Sequence, residues 1–557
     1  MRRHGGKILA DQLAIQGVER VFSVPGESFL AALDGLYDVG IPNVVCRHEG
    51  GAAMMAEAHA KLTGRPGVLF VTRGPGSCNA ASGLHVARQD STPMVVFVGQ
   101  IARRDRDREA FQELDYRSFF GPLVKWVAEV DETRRLPEYV SRAFQAAQSG
   151  RPGPVVLALP EDMLSGIAEV PDIPARIWPE PDPTPAQVAA VLAALNEAER
   201  PLVVVGGPHW SAQAAADLAR FAESHDLPVA VSFRRQDRLD NRHPNYVGDL
   251  GVGMNPALGK RLGDADLVIA LGTRLGDTAT AGYSLMDPAV QDKRVVHIHP
   301  DPDELGRIWR PDPGIALSAP DVVAALARSG PPATPPRWSA WTRAARADYE
   351  AWTTPKPTPG AVRMEEVVAW LSETLPETAV LTNGAGNYAA FLHRYFRYRG
   401  PGTQLAPTSG SMGYGFPAAI AAKLARPELP VICLAGDGCF QMTLNEMSTA
   451  VQHGANVVVI VANNGRYGTI RMHQERKYPG RVSGTDLVNP DYAALARAYG
   501  GEGETVTEQA GFAPALERAL ASDRPFVIEL RLDPEALATG LTLSGARAMG
   551  EAAQSED

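Results

Sequence analysis

Short, continuous apolar runs closed off by glycine or proline alternate with amphipathic stretches along the whole chain. A strand covered on both faces reads as an unbroken apolar run, and parallel strands are covered on both faces because their crossover helices pack there. The pattern predicts an α/β protein of doubly wound parallel sheets. Runs at 21–24, 43–46, 67–72, 94–98 and 155–159, with a helical segment at 51–62, predict one unit spanning 1–170. Runs at 202–205, 229–231, 267–271 and 295–298 predict a middle unit spanning 185–329, and those at 379–381, 431–434, 457–461 and 526–530 a third spanning 355–532. Two proline-rich stretches, 170–184 and 330–336, separate them. Proline has no amide hydrogen and a fixed φ, so neither stretch can hold a helix or a central strand. The tail, 533–557, is polar and rich in small residues, the composition of a lid or a frayed end.

Charge and cysteine usage exclude several functions. Lys plus Arg number 54 against 64 Asp plus Glu, a net charge of −10, so no overall field favours nucleic acid or an anionic membrane. The apolar runs are strand-length, far short of the ~20 residues that span a bilayer. The basic start is followed by Asp11 and Gln12 where a secretion signal would need an apolar core. Cys46, Cys78, Cys433 and Cys439 form no CxxC pair, which argues against a zinc ribbon or a disulfide framework. A cytoplasmic protein with no nucleic-acid or membrane partner is expected.

The segment VICLAGDGCFQMTLNEMSTAVQHGANVVVIVANNGRYGT, 431–469, reads as strand, Gly-Asp-Gly turn, helix, strand and Asn-Asn. Asp437 follows the first strand and Asn464 the second; the 24 residues from 439 to 462 suit one crossover helix, which brings both side chains to one sheet edge. Thr443 and Glu446 have the spacing of a capping box and predict a helix start. A carboxylate and an amide oxygen, with backbone carbonyls nearby, form an all-oxygen set suited to Mg²⁺ or Ca²⁺ and poorly suited to zinc. Gly436, Gly438, Gly465 and Gly468 let backbone amides approach closely ahead of a helix N-terminus, so a diphosphate is a natural partner for the ion. Each motif alone reads as an ordinary turn; their combination at this spacing is the signal.

Gly-Asp-Gly followed two dozen residues later by Asn-Asn resembles the signature of the thiamine diphosphate (ThDP) enzymes. By that resemblance Asp437 and Asn464 bind Mg²⁺ through their side chains and Arg466 through its backbone carbonyl, while amides near Gly438, Cys439 and Gly468 hold the diphosphate. Asn387, in Thr-Asn-Gly-Ala-Gly-Asn-Tyr, aligns with a diphosphate-contacting position. Arg47-His48-Glu49-Gly50-Gly51, opening into a small-residue helix, resembles the place of the family's activating glutamate. A carboxylate hydrogen-bonded to the pyrimidine ring favours the imino tautomer, which takes the proton from the thiazolium carbon and leaves a nucleophile. The loop 407–417 resembles the one that bends ThDP into a V, with Met412 between the rings and the Gly410 carbonyl receiving the pyrimidine amino group. Glu49 and the diphosphate site fall in separate domains, which in the family meet across a subunit interface; a homodimer or homotetramer is implied.

The resemblance runs from Val24-Pro25-Gly26-Glu27 through Thr72-Arg73-Gly74-Pro75-Gly76 and Ala110-Phe111-Gln112-Glu113 to the third domain, and points to acetolactate synthase (acetohydroxyacid synthase) large subunits. It implies cofactor contacts at Pro25 and Asn79, and Phe111 and Gln112 in the active site. The implied reaction is decarboxylation of a 2-oxo acid such as pyruvate and condensation with a second carbonyl compound. Three positions depart from the family. His473 stands where a tryptophan shapes the second-substrate pocket, Thr278 where an arginine holds the substrate carboxylate, and Glu161 where the charge is positive. The change at Thr278 also weakens the expectation of the structural FAD of acetolactate synthases, for which the strand end Val205-Gly206-Gly207 remains. These departures keep two other readings open: a non-carboligating decarboxylase resembling benzoylformate decarboxylase, and a ThDP-binding protein without catalysis.

Overall fold

The computed structural model describes residues 2–176 and 181–556. In the first domain the strands are β1 (Arg2–His4), β2 (Val21–Ser23), β3 (Asn43–Val45), β4 (Gly67–Val71), β5 (Met94–Gln100), β6 (Trp126–Glu129), β7 (Pro154–Pro160) and β8 (Ile167–Glu169). Six of them form a parallel sheet in the order β3-β2-β4-β5-β7-β6, while β1 and β8 pair as an antiparallel ribbon. Every residue of β5 and β7 is buried, as unbroken apolar runs require.

The middle sheet takes β9 (Pro201–Val205), β10 (Val229–Ser232), β11 (Tyr246–Leu250), β12 (Leu267–Leu271), β13 (Arg294–Ile298) and β14 (Gly314–Ile315) in the order β11-β10-β9-β12-β13-β14. The helix Ser339–Trp352 lies beyond the expected end of this unit yet packs on it, placing Trp338 and Tyr349 in the apolar cluster of Val203 and Val229. The third sheet, β16-β15-β17-β18-β20-β19, is built from β15 (Val380–Asn383), β16 (Gln404–Leu405), β17 (Val431–Gly436), β18 (Val458–Asn463), β19 (Glu502–Val506) and β20 (Phe526–Arg531). Between 170 and 184 the described part has neither helix nor strand, and 177–180 lie outside the described residues. No helix among the described residues is long and apolar enough to cross a membrane.

The first and third domains share one core. Helix Glu49–Thr63 packs on helix Gly415–Ala425, and the alanines on both, among them Ala52, Ala56, Ala418 and Ala422, admit a close approach. Buried polar contacts tie the first domain to both of the others. Asp90 accepts from Arg235 Nη2 at 3.0 Å and from the Thr408 amide, and Glu57 accepts from Tyr414 Oη at 2.5 Å and from Thr92. Both ends of the segment 408–414, which carries Gly410 and Met412, are thereby anchored to the first domain.

One local expectation is corrected, and of the two readings of the tail the frayed end does not hold over its described residues. The crossover from β17 to β18 is broken into helix Asp437–Gln441, a turn Leu444–Glu446 and helix Met447–Gln452, and Thr443 and Glu446 form no capping box. Thr443 Oγ1 donates to the Gly413 carbonyl at 2.8 Å, and the Glu446 carboxylate reaches into the first domain. The tail is ordered: β21 (Ala536–Ala538) and β22 (Leu541–Thr542) form a hairpin, and helix Leu543–Glu556 packs on helix Gly468–Lys477 through Arg547 and Glu475 at 2.9 Å. Small residues there serve close contact, since a Cβ on Gly550 would lie 2.2 Å from the Glu475 carbonyl oxygen.

Candidate active site

At the carboxyl ends of β15, β17 and β18 the third domain encloses a cavity of about 220 Å³. Its wall holds Asn387, Gly410, Met412, Asp437, Gly438, Cys439, Asn464, Arg466 and Gly468, so every site residue expected in this domain lies on one surface. The N-termini of helices Asn387–Tyr395, Asp437–Gln441 and Gly468–Lys477 open onto it. Converging helix N-termini offer unpaired amides and positive partial charge, a setting for an anionic group.

Asp437 is almost wholly buried. Its Oδ1 accepts from the Gly438 amide at 2.8 Å; its Oδ2 accepts from the Gly465 amide at 2.9 Å and from Asn489 Nδ2 at 2.8 Å. Burial pushes its pKa up, opposed by those hydrogen bonds. No cationic side chain pairs with it among the described residues, which leaves a buried carboxylate facing a cavity beside the Asn464 amide. Of the two adjacent asparagines, Asn463 turns away to donate to Glu529 Oε1 at 2.6 Å, and Asn464 lines the cavity. One carboxylate with amide and carbonyl oxygens fits Mg²⁺ completed by phosphate oxygens, and does not fit zinc.

Close packing explains the glycines. A Cβ on Gly438 would lie 2.5 Å from the Tyr467 ring, so only glycine lets that tyrosine seat against the turn. Cys439 Sγ accepts from the Gly413 amide and from Tyr388 Oη, each at 3.1 Å, locking the Met412 loop to the Gly-Asp-Gly turn. Asn387 accepts from Thr469 Oγ1 at 2.9 Å and donates to the Leu537 carbonyl at 3.0 Å, drawing the tail hairpin over the cavity. Sequence reasoning missed Asn489, Tyr467, Tyr388 and Leu537. Asn489 comes from a loop and Leu537 from the short tail strand β21, neither within a motif, and the two tyrosines resemble core aromatics.

The first-domain candidates gather separately. Glu49 is the first residue of helix Glu49–Thr63, and its Oε2 accepts from Asn79 Nδ2 at 2.9 Å. A Cβ on Gly76 would sit 3.0 Å from Glu49 Oε1, and the Gly74 amide donates to the Gln112 carbonyl at 3.1 Å. Glu49, Asn79 and Gln112 therefore share the start of helix Gly74–Asp90. Pro25 is exposed just past β2, and Phe111 is 75% exposed. None of these residues lines the cavity around Asp437, whose described lining begins at Met364. Within one chain the two halves lie apart.

The three departures find distinct settings. His473 is exposed on helix Gly468–Lys477 and is not on the cavity wall, where Thr469 and Ile470 stand instead. Thr278 lines a different cavity, of about 130 Å³, with Arg274, Gly207 and Gly272 of the middle domain. Glu161 accepts from Arg73 Nη2, so its negative charge is matched within the first domain.

Sheet order, metal-type donor set and anion cradle define a cofactor enzyme of the ThDP type, and comparison with known proteins agrees. Models of the thiamine pyrophosphate enzyme N-terminal TPP binding domain, central domain and C-terminal TPP binding domain match residues 3–119, 188–326 and 384–530. The chain belongs to the thiamine pyrophosphate enzyme family. It is 34% identical to the acetolactate synthase large subunit of Parasynechococcus marenigrum, over 95% of this chain and 87% of that one. It is 30% identical to the acetolactate synthase isozyme 2 large subunit of Escherichia coli, over 95% and 96% of the two chains. Among solved structures, a thiamine diphosphate-dependent 4-hydroxybenzoylformate decarboxylase from Rhodococcus jostii superposes with a TM-score of 0.83 at 26% identity, covering 95% of this chain and 99% of that one.

Proposed function

We propose that the protein is a ThDP- and Mg²⁺-dependent, acetolactate synthase-like enzyme that decarboxylates a 2-oxo acid and joins the remaining fragment to a second carbonyl compound. The observation that carries the reading is the buried Asp437 carboxylate beside Asn464, paired with no cationic side chain among the described residues, in a cavity onto which three helix N-termini open. Asp437 and Asn464 would hold the metal through side chains and Arg466 through its carbonyl, with amides at Gly438, Cys439 and Gly468, and Asn387, on the diphosphate. Met412 and the Gly410 carbonyl would fix the bend of the cofactor. When bound, ThDP supplies a nucleophilic carbon and an electron sink for the carbanion that loss of CO₂ generates.

Glu49 would hold the proton shared with the pyrimidine nitrogen, oriented by the Asn79 amide at 2.9 Å. Because Glu49 and the cavity are separate within one chain, the complete site would take Glu49, Asn79, Pro25, Phe111 and Gln112 from a second copy. A homodimer or homotetramer in the cytoplasm is the corresponding assembly. Phe111, next to Gln112 and 75% exposed on a single chain, is a side chain that such a partner would cover.

A second reading, decarboxylation without carboligation, is supported by Thr278, which removes a guanidinium from the substrate side. Purified protein with ThDP and Mg²⁺ should convert pyruvate to acetolactate. CO₂ release from an aryl 2-oxo acid with no acetolactate from pyruvate would favour the second reading, and no cofactor-dependent CO₂ release from either would overturn both. The visible spectrum of the same preparation tests for FAD in the middle-domain cavity: a flavin band supports it and a colourless protein removes it.

A further inference from the structure

The segment joining β3 to helix Glu49–Thr63 is held almost entirely by the third domain of its own chain. The Val45 amide donates to His453 Nε2 at 3.0 Å, and Thr449 Oγ1 lies 3.4 Å from the Val45 carbonyl. The Arg47 amide donates to Glu446 Oε2 at 3.2 Å and the His48 amide to Glu446 Oε1 at 3.0 Å; Arg47 Nη2 reaches Gln452 Oε1 at 2.6 Å. Thr449 Oγ1 donates to Glu446 Oε2 at 2.6 Å and Asn445 Nδ2 to Oε1 at 3.3 Å, so the carboxylate takes a hydroxyl, a side-chain amide and two backbone donors. Glu446 is completely buried, and a Cβ on Gly51 would lie 2.5 Å from its Oε1. Small residues at the helix start thus make room for a carboxylate from another domain.

We propose that Glu446 is a positioning residue for cofactor activation: its carboxylate fixes the backbone of Arg47 and His48, and through it the direction in which Glu49 leaves the helix. This rests on the reading of Glu49 as the activating carboxylate. The geometry explains why a carboxylate is needed. Two backbone N–H groups, a hydroxyl and the Asn445 side-chain amide converge on it, and an ionised carboxylate offers about four acceptor sites and no donor. A glutamine would present an NH₂ to one of those donors, leave it unpaired in a buried place and tilt the segment. His48 continues the chain of support, since its Nδ1 accepts from the Gly50 amide at 3.0 Å and caps the helix. Among the described residues the Glu446 side chain makes no hydrogen bond to the cavity wall, so its reach toward the site is through the main chain ahead of Glu49.

The test uses full-length protein with ThDP and Mg²⁺ and compares Glu446→Gln, Thr449→Val and Glu49→Gln with wild type. Hydrogen–deuterium exchange at the thiazolium carbon of bound ThDP is read beside ThDP affinity. A misplacement of about 1 Å in a reacting group costs up to roughly a hundredfold. Glu446→Gln is therefore expected to slow exchange by about ten- to a hundredfold while ThDP affinity stays within a few-fold, and Thr449→Val to slow it by less. Exchange at the wild-type rate in Glu446→Gln, with Glu49→Gln slow, overturns the positioning role and leaves Glu49 in place. Parallel loss of affinity and exchange makes Glu446 a general structural residue and also overturns it. Normal exchange in Glu49→Gln overturns the underlying reading and this proposal together. Should Glu446→Gln not fold, Thr449→Val decides, with slowed exchange at normal affinity in support and unchanged exchange against.

Discussion

The Asp437 oxygens are fixed by three N–H donors, the Gly438 and Gly465 amides and Asn489 Nδ2, and a nitrogen that donates a hydrogen bond cannot also coordinate the cation proposed here. Partners behind a metal ligand typically account for ten- to a hundredfold in metal affinity. Asp437→Ala should abolish Mg²⁺-dependent ThDP binding, and Asn489→Ala should weaken it by about ten- to a hundredfold, both read by cofactor titration. Normal titration of Asp437→Ala would remove the metal assignment. The contrast between these two residues also marks what a sequence can reveal. Asp437 is legible because strand-turn spacing places it at the sheet edge, whereas Asn489 arrives from a distant loop, by a path that only the tertiary fold creates. Leu537, on the tail strand β21, likewise meets Asn387 through a contact that only the tertiary fold creates.

At the scale of elements, the expected strands include every interior strand of the three sheets, and the five overlooked, β6, β11, β14, β16 and β19, are all at edges. Interior strands are buried on both faces and announce themselves as apolar runs. Edge strands are short or carry polar residues, as in Glu502-Gly503-Glu504-Thr505-Val506, and lose that signal. Helix packing supplies a stability test. A Cβ on Gly83 would lie 2.4 Å from Ala53 Cβ, between helices Glu49–Thr63 and Gly74–Asp90, so Gly83→Ala should destabilise the fold by about 1–3 kcal/mol in chemical denaturation. The docked tail supplies a pH test. Hydrogen bonds, from Arg547 first, lower the Glu475 pKa from 4.5 to about 2. A depressed carboxylate pKa contributes docking strength above the unfolded value and loses it as pH falls through the folded one. Hydrogen exchange of helix Leu543–Glu556, corrected for intrinsic rates, should accelerate between pH 4.5 and about 2, and Glu475→Gln should reproduce the loosening at neutral pH.

Across the whole molecule, one chain carries two clusters that do not meet: the Glu49 carboxylate with Asn79 in the first domain, and the Asp437 cavity at the strand ends of the third, proposed as the two halves of one site. The shared core and the Glu446 contacts join these domains without bringing the two clusters together, so under the proposed function the missing half would come from a second copy of the chain. Co-expression of Glu49→Gln and Asp437→Ala chains tests this directly, because each variant alone is predicted to be inactive. In a random mixture the mixed dimer has one site with both residues intact, so CO₂ release from a 2-oxo acid should recover to about a quarter of wild type. Activity no higher than that of either variant alone would contradict a site shared between chains.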